Sequence, residues 1–72
     1  MYAVIELQTS ADGTLASIVQ QAATLNEANS IYHTILGAAA ISRVPIHSCT
    51  LLDADGMQIK CETYHHDEHS DN

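Results

Sequence analysis

The chain has 72 residues, 46% of them apolar, and it carries two Lys or Arg side chains against nine Asp or Glu, giving a formal charge of −7 with neutral histidines. This length predicts one small domain that buries only about 60% of its unfolded surface as a monomer, so we expect oligomerisation. The acidic balance excludes a protein that holds DNA or RNA by neutralising phosphates, and no apolar run approaches the roughly 18 residues of a membrane-spanning helix.

The N-terminal segment MYAVIELQ shows no basic region followed by an apolar stretch and a small-residue cleavage site, so no signal peptide is expected. Cys49 and Cys61 are too few for the disulfide framework of a small secreted domain. Reduced thiols and a cytoplasmic location are therefore predicted.

A β-hairpin is predicted at the start of the chain, where MYAVIELQT and TLASIVQQA flank the turn signal SADG. A three-residue loop with Gly13 in the left-handed region places Ser10 opposite Thr14, and Ile5 then pairs with Val19. Alternation along the two strands gives a predicted core face consisting of Ala3, Ile5, Leu7, Leu15 and Val19.

A helix is predicted next, because Thr24 and Glu27 have the spacing of a capping box. Its predicted apolar stripe consists of Leu25, Ala28, Tyr32, Ile35 or Leu36, and Ala39. Val44 precedes Pro45 and is pushed toward extended geometry, so the helix should end by about Arg43. Gly37 costs helix stability, which indicates close approach to another backbone.

A second hairpin is predicted from PIHSCTLL and MQIKCETY around DADG. The same loop arithmetic places Asp53 opposite Met57 and pairs Cys49 with Cys61. The predicted core row on these strands is Cys49, Leu51, Met57, Ile59 and Cys61.

The predicted fold class is α+β, a ββαββ chain with a four-stranded antiparallel sheet and one helix packed on one face. The domain should span residues 1–64, followed by a disordered acidic, His-rich tail over residues 65–72. The other sheet face is apolar enough to predict a homo-oligomer formed through it. Its apolar residues in this register are Tyr2, Val4, Ala16, Ile18, Ala22, Ile46 and Leu52.

Polar side chains cluster around the end of the helix and the following strand. Arg43 beside Ser42 complements the helix dipole in a monomer, whereas converging copies in an oligomer would hold a phosphate. His33 and His47 are ordinary boundary residues in a monomer and hydrogen-bonding candidates in an oligomer. Tyr32, Ser48 and Tyr64 complete the predicted ligand-binding set, the tyrosines by stacking on a base.

No reaction is indicated by these residues. Cys49 and Cys61 are predicted to pack as small hydrophobic side chains, and a Cys49 pair with His33 or His47 lacks a third, orienting group. The tail segment HHDEH has the composition of a weak metal chelator, without the spacing of a metal site. We therefore predict no enzyme activity, no cofactor and no metal site.

The run YHTILGAAAISRVPIHSCTLLDADGMQIKCETYHH resembles a recurring group of small acidic proteins encoded by gut Firmicutes and their phages. The matching positions are Tyr32, His33, Ile35, Leu36, Ala39, Ala40, Ser42, Val44, His47, Ser48, Leu51, Leu52, Gly56, Glu62 and Tyr64. The resemblance implies a phage setting, in which proteins of this size counter bacterial immunity by sequestering nucleotide signals or by blocking a CRISPR effector.

Three functions follow as hypotheses. The first is a homo-oligomer that sequesters a small anionic, nucleotide-derived immune signal at subunit interfaces. The second is an acidic inhibitor that occupies the nucleic-acid groove of a host defence complex, favoured by the charge of −7. The third is a structural oligomeric module without ligand. None of the three binds nucleic acid directly or inserts into a membrane.

Overall fold

The computed structural model describes residues 1–66, which form a ββαββ fold. Four strands, β1 (Tyr2–Thr9), β2 (Leu15–Ala22), β3 (Ile46–Leu52) and β4 (Gln58–His65), make one antiparallel sheet in the order β2-β1-β3-β4. One helix, α1 (Leu25–Ala40), joins β2 to β3. The predicted α+β class is confirmed, and within these residues no helix is long and apolar enough to cross a membrane.

The first hairpin has the predicted register. Ile5 lies opposite Val19, and Gly13 takes a φ of 89°, which a side chain would make unfavourable. Asp12 Oδ1 accepts hydrogen bonds from the Thr14 amide and the Ser10 hydroxyl, at 2.9 and 2.8 Å. The Asx chemistry of this turn therefore fixes the pairing of β1 with β2.

The second hairpin keeps the predicted register for only one pair beyond its turn. Asp53 donates its amide to Met57 and Leu52 lies opposite Gln58, but Leu51 then lies opposite Lys60, because a bulge interrupts the ladder there. The extra residue moves every later partner by one, so Cys49 faces Glu62 and not Cys61. The predicted pairing of the two cysteines is wrong for this reason.

Helix α1 begins and packs as its sequence predicts. Thr24 Oγ1 accepts the Glu27 amide at 3.1 Å, and Glu27 Oε1 accepts the Ala23 amide at 2.9 Å. The helix ends at Ala40, three residues before the predicted limit. Its buried residues are Ala28, Tyr32, Ile35 and Ala39, all from the predicted stripe, whereas Leu25, also predicted for the stripe, is 40% exposed. Gly37 faces open space, so it does not provide close approach to the sheet.

The helix lies on the sheet face opposite to the one predicted for β1 and β2. Val4, Cys49 and Leu51 are fully buried beneath it, whereas Val19 is 59% exposed. Cys49 and Leu51 are confirmed as core residues. Wrongly predicted as core were Ala3, Ile5, Leu7, Leu15 and Val19 on the first hairpin and Met57, Ile59 and Cys61 on the second.

Both faces of β1 and β2 carry enough apolar residues to fit a core, so alternation alone does not choose between them. The pairing of β3 with β1 determines which face the helix covers, because it places Val4 opposite Leu51 and Glu6 opposite Cys49. We define the open face as the odd-numbered residues of β1 and β2, the even-numbered residues of β3, and Cys61, Thr63 and His65 of β4.

Strand β4 continues to His65, one residue past the predicted domain end at residue 64. His66 follows it and donates its amide to the Pro45 carbonyl at 2.6 Å. The remainder of the predicted tail, residues 67–72, lies outside the described residues.

Candidate functional site

A row of polar side chains crosses the helix side of the sheet near the end of α1. His47 in β3 lies between Gln8 in β1 and Tyr64 in β4. Each of these residues occupies a helix-side position because it is in register with its neighbours across the ladder. His47 is the one buried polar residue in the described part of the chain, with 4% of its surface exposed.

His47 is held by a carboxylate from the neighbouring strand. Its Nε2 lies 2.5 Å from Glu6 Oε2, and the same oxygen accepts a hydrogen bond from the side-chain Nε2 of Gln8 at 2.9 Å. An ionised carboxylate has no proton to give, so Nε2–H of His47 donates. Its other ring nitrogen, Nδ1, is buried and has no hydrogen-bond partner among the described residues.

Cys49 lies next to this pair, and its thiol is not activated as a nucleophile. Burial raises the pKa of its thiol to about 11, and the charge of Glu6 adds to the effect. A nucleophilic cysteine needs the opposite shift, from a nearby cation or a helix N-terminus. The Cys49–His47 combination therefore has no activated thiolate, and His47 is already bonded to Glu6.

Tyr64 and His66 close the same end of the structure. Their rings stack with centroids 6.0 Å apart and planes 10° apart. His66 Nε2 lies 2.8 Å from the Ala39 carbonyl, one of the last helix carbonyls, so Nε2–H donates to it. This bond ties the end of β4 to the end of α1 and positions Tyr64 beside His47.

Ser42 and Arg43 lie in the connection from α1 to β3. Ser42 Oγ accepts the Val44 amide at 3.0 Å, which turns the chain toward Pro45. Arg43 is exposed, and among residues 1–66 it makes no ion pair or side-chain hydrogen bond.

Tyr32 and His33 lie on the helix about two turns before its end at Ala40. Tyr32 is 4% exposed, and its ring packs beneath Lys60, whose Nζ is 5.7 Å from the ring centroid. Lys60 also donates to Asn29 Oδ1 at 2.8 Å. Burial, followed by the charge of Glu62, raises the pKa of Tyr32. His33 is exposed, and its ring forms a T-shaped pair with the Tyr32 ring, with centroids 5.7 Å apart.

The seven residues predicted as ligand-binding are thus divided among four places. His47 and Tyr64 lie together, Ser42 and Arg43 border them in the chain connection, and Tyr32 and His33 are on the helix. Ser48 points to the open face. The polar residues around His47 also include Glu6, Gln8 and His66, which the sequence did not suggest. Only the pairing of β1 with β3 brings Glu6 to His47.

Two other features bear on chemistry. Within residues 1–66 no group of three or more His, Cys, Asp or Glu side chains is placed to hold a metal ion.

A shallow cavity of about 200 Å³ lies at the opposite end of the sheet, lined by Met1, Tyr2, Ala3, Gln21, Asp53 and Ala54, none of them a predicted ligand-binding residue.

Comparisons of the chain with protein-family models, with curated proteins and with solved structures find no match.

Proposed function

We propose that this chain is a small homo-oligomeric binding protein that takes up a small anionic, nucleotide-derived ligand between its subunits. The observation that carries this proposal is the exposed guanidinium of Arg43, which makes no ion pair or side-chain hydrogen bond within residues 1–66. The chain has only two Lys or Arg side chains, and the other, Lys60, is occupied by Asn29 and the Tyr32 ring. Arg43 is therefore the residue left to recognise a phosphate.

A single Arg in a chain of charge −7 is a weak anion site in a monomer, because the remaining charge repels the ligand. Two or more copies of Arg43 around one phosphate overcome this repulsion by bidentate bonds. The proposed site therefore needs assembly, in which symmetry supplies the second guanidinium.

The other predicted residues have distinct parts in the proposal. Exposed His33, together with Ser42 and half-buried Tyr64, is available for hydrogen bonds or stacking on a base. His47 and Tyr32 are buried, so in this proposal they hold neighbouring residues in place and do not contact the ligand themselves. Ser48, on the open face, would lie at a subunit contact.

The biological setting remains part of the proposal: a phage protein in the cytoplasm of its host that withholds a nucleotide signal from bacterial immunity, with no catalysis of its own. The support for it is the sequence resemblance, together with a raised Cys49 pKa that disfavours a nucleophilic thiol.

The test is ligand-dependent thermal stabilisation, measured with cyclic dinucleotides and ADP-ribose derivatives as probes. Binding to the folded state raises the melting temperature as ligand concentration passes the dissociation constant. Arg43→Gln should abolish the shift. Lys60→Gln removes the same charge from a side chain that contacts Asn29 and the buried Tyr32 ring and not Arg43, so it should retain the shift, judged against its own unliganded melting temperature. An oligomeric wild type that responds to none of the probes would favour a structural module without ligand.

A second candidate is an acidic inhibitor of a nucleic-acid-binding host complex. It is favoured by the charge of −7, which complements a basic groove. Capture of a host complex at low salt, lost steeply as salt is added, is the expected result for this function. Absence of captured protein at low salt would argue against it.

A further inference from the structure

The open face carries no charged Asp, Glu, Lys or Arg side chain in any of the four strands. The charged strand residues are Glu6, Lys60 and Glu62, and register places all three on the helix side. In a chain of charge −7, the open face is thus a strand surface without a carboxylate, a Lys or an Arg.

The same face exposes large apolar side chains in the single chain. Leu15 is 61% exposed, Val19 59% and Ile46 37%. Within residues 1–66 no element covers this second face of the sheet, and a contiguous apolar patch of this kind marks a contact surface.

The dimensions of the face match those of a protein interface. Four strands of up to eight residues, at about 3.3 Å per residue and 4.8 Å between strands, cover on the order of 500 Å² in projection. Side-chain relief makes the accessible area larger than this projection. Stable interfaces begin at about 600 Å² per partner, so one sheet face is sufficient.

We infer that the open face is the surface through which two copies of this chain pack sheet against sheet. This inference rests on the self-association in the proposed function and identifies its partner and its surface. A basic partner would need carboxylates on the open face, and the open face has none. The open face of a second copy is also uncharged, so the two faces can pack together without bringing the charges of two acidic chains into contact. The helices then lie on the two outer sides.

This arrangement also places the proposed ligand site at the edge of the contact. The segment that carries Ser42 and Arg43 leads directly into Ile46, the first open-face residue of β3. An isologous, two-fold contact repeats this segment on the second copy, so each dimer offers two guanidinium groups at its rim.

The test compares neighbouring positions of β2 that point to opposite faces. Val19→Glu adds a carboxylate to the open face, and Ile18→Glu adds one to the helix side, where Ile18 is 49% exposed. Ser48→Glu tests the open face independently on β3. Masses are measured by sedimentation across protein concentration, and circular dichroism verifies that each variant is folded.

We expect a dimeric wild type, an unchanged Ile18→Glu variant, and a dissociation constant at least about tenfold higher in Val19→Glu or Ser48→Glu, since each adds like charges from both copies. Two results would overturn the surface assignment. In the first, Val19→Glu and Ser48→Glu both keep the oligomeric mass of the wild type. In the second, Ile18→Glu weakens the oligomer as much as they do. A wild type that stays monomeric at all concentrations would overturn the proposed self-association itself.

Discussion

His47 and Glu6 join the two central strands by a side-chain bond between Nε2 and Oε2, with 5% of one side chain and 14% of the other exposed. Glu6 is thereby placed beneath the helix, next to Cys49, in a region where an unpaired carboxylate is costly. The pair explains how a charged residue is accommodated on the face that the helix covers.

Replacing His47 by Ala should lower the free energy of unfolding by about 2–4 kcal/mol, since it removes packing and leaves Glu6 with Gln8 alone. His33→Ala is the matched control on an exposed position and should cost under about 0.5 kcal/mol. Urea unfolding monitored by circular dichroism measures both values. Equal costs for the two variants would contradict a structural role for the His47–Glu6 pair.

Gly37→Ala should stabilise the chain by about 1 kcal/mol, because Gly37 is in the helix interior and a Cβ there meets no atom within 4 Å. Thermal or urea unfolding tests this directly. A destabilised Gly37→Ala variant would mean that another backbone, from a second copy, approaches the helix at this position, as the sequence predicted.

Asp12 should titrate well below the ordinary pKa of an aspartate. The Thr14 backbone amide, with the Thr14 and Ser10 side chains, lowers its pKa from 3.8 to about 2. Since the folded pKa is depressed, the turn's contribution to stability is present above about pH 4 and is lost as the pH falls toward 2. Carboxyl ¹³C shifts measure the midpoint. Ser10→Ala should move it upward, and a wild-type midpoint near 4 would refute the hydrogen-bonded turn.

The two thiols should differ in reactivity. In dilute solution a thiol reagent should modify exposed Cys61 in the folded chain and reach buried Cys49 only on unfolding. The raised Cys49 pKa also means that the folded state holds its proton more tightly than the unfolded state. The stability that this pKa difference gives the folded state is fully present below pH 9 and is lost as the pH rises to about 11. Rapid modification of both thiols in folded protein would contradict the burial of Cys49.

Local chemistry made part of this fold predictable. The two Asp-Gly turns and the capping box of Thr24 and Glu27 identify both hairpins and the start of the helix, because each depends on residues close in sequence. The pairing of Ile5 with Val19 follows from loop length alone.

The covered face was not predictable in this way. It depends on which strand lies beside β1, a long-range choice between two faces of similar hydrophobicity. The bulge opposite Leu51 likewise has no Gly or Pro to indicate it. The His47–Glu6 pair depends on the same long-range choice, so the candidate site was predictable only in its β3 and helix-end residues.

The most direct test of face-to-face assembly is an isotope-filtered NOE measurement on a mixture of labelled and unlabelled chains. Contact through the open face predicts intermolecular NOEs to the methyl groups of Ile5, Leu7 and Val19, and none to Ile18 on the helix side. Intermolecular NOEs confined to Ile18 or to helix residues would contradict it.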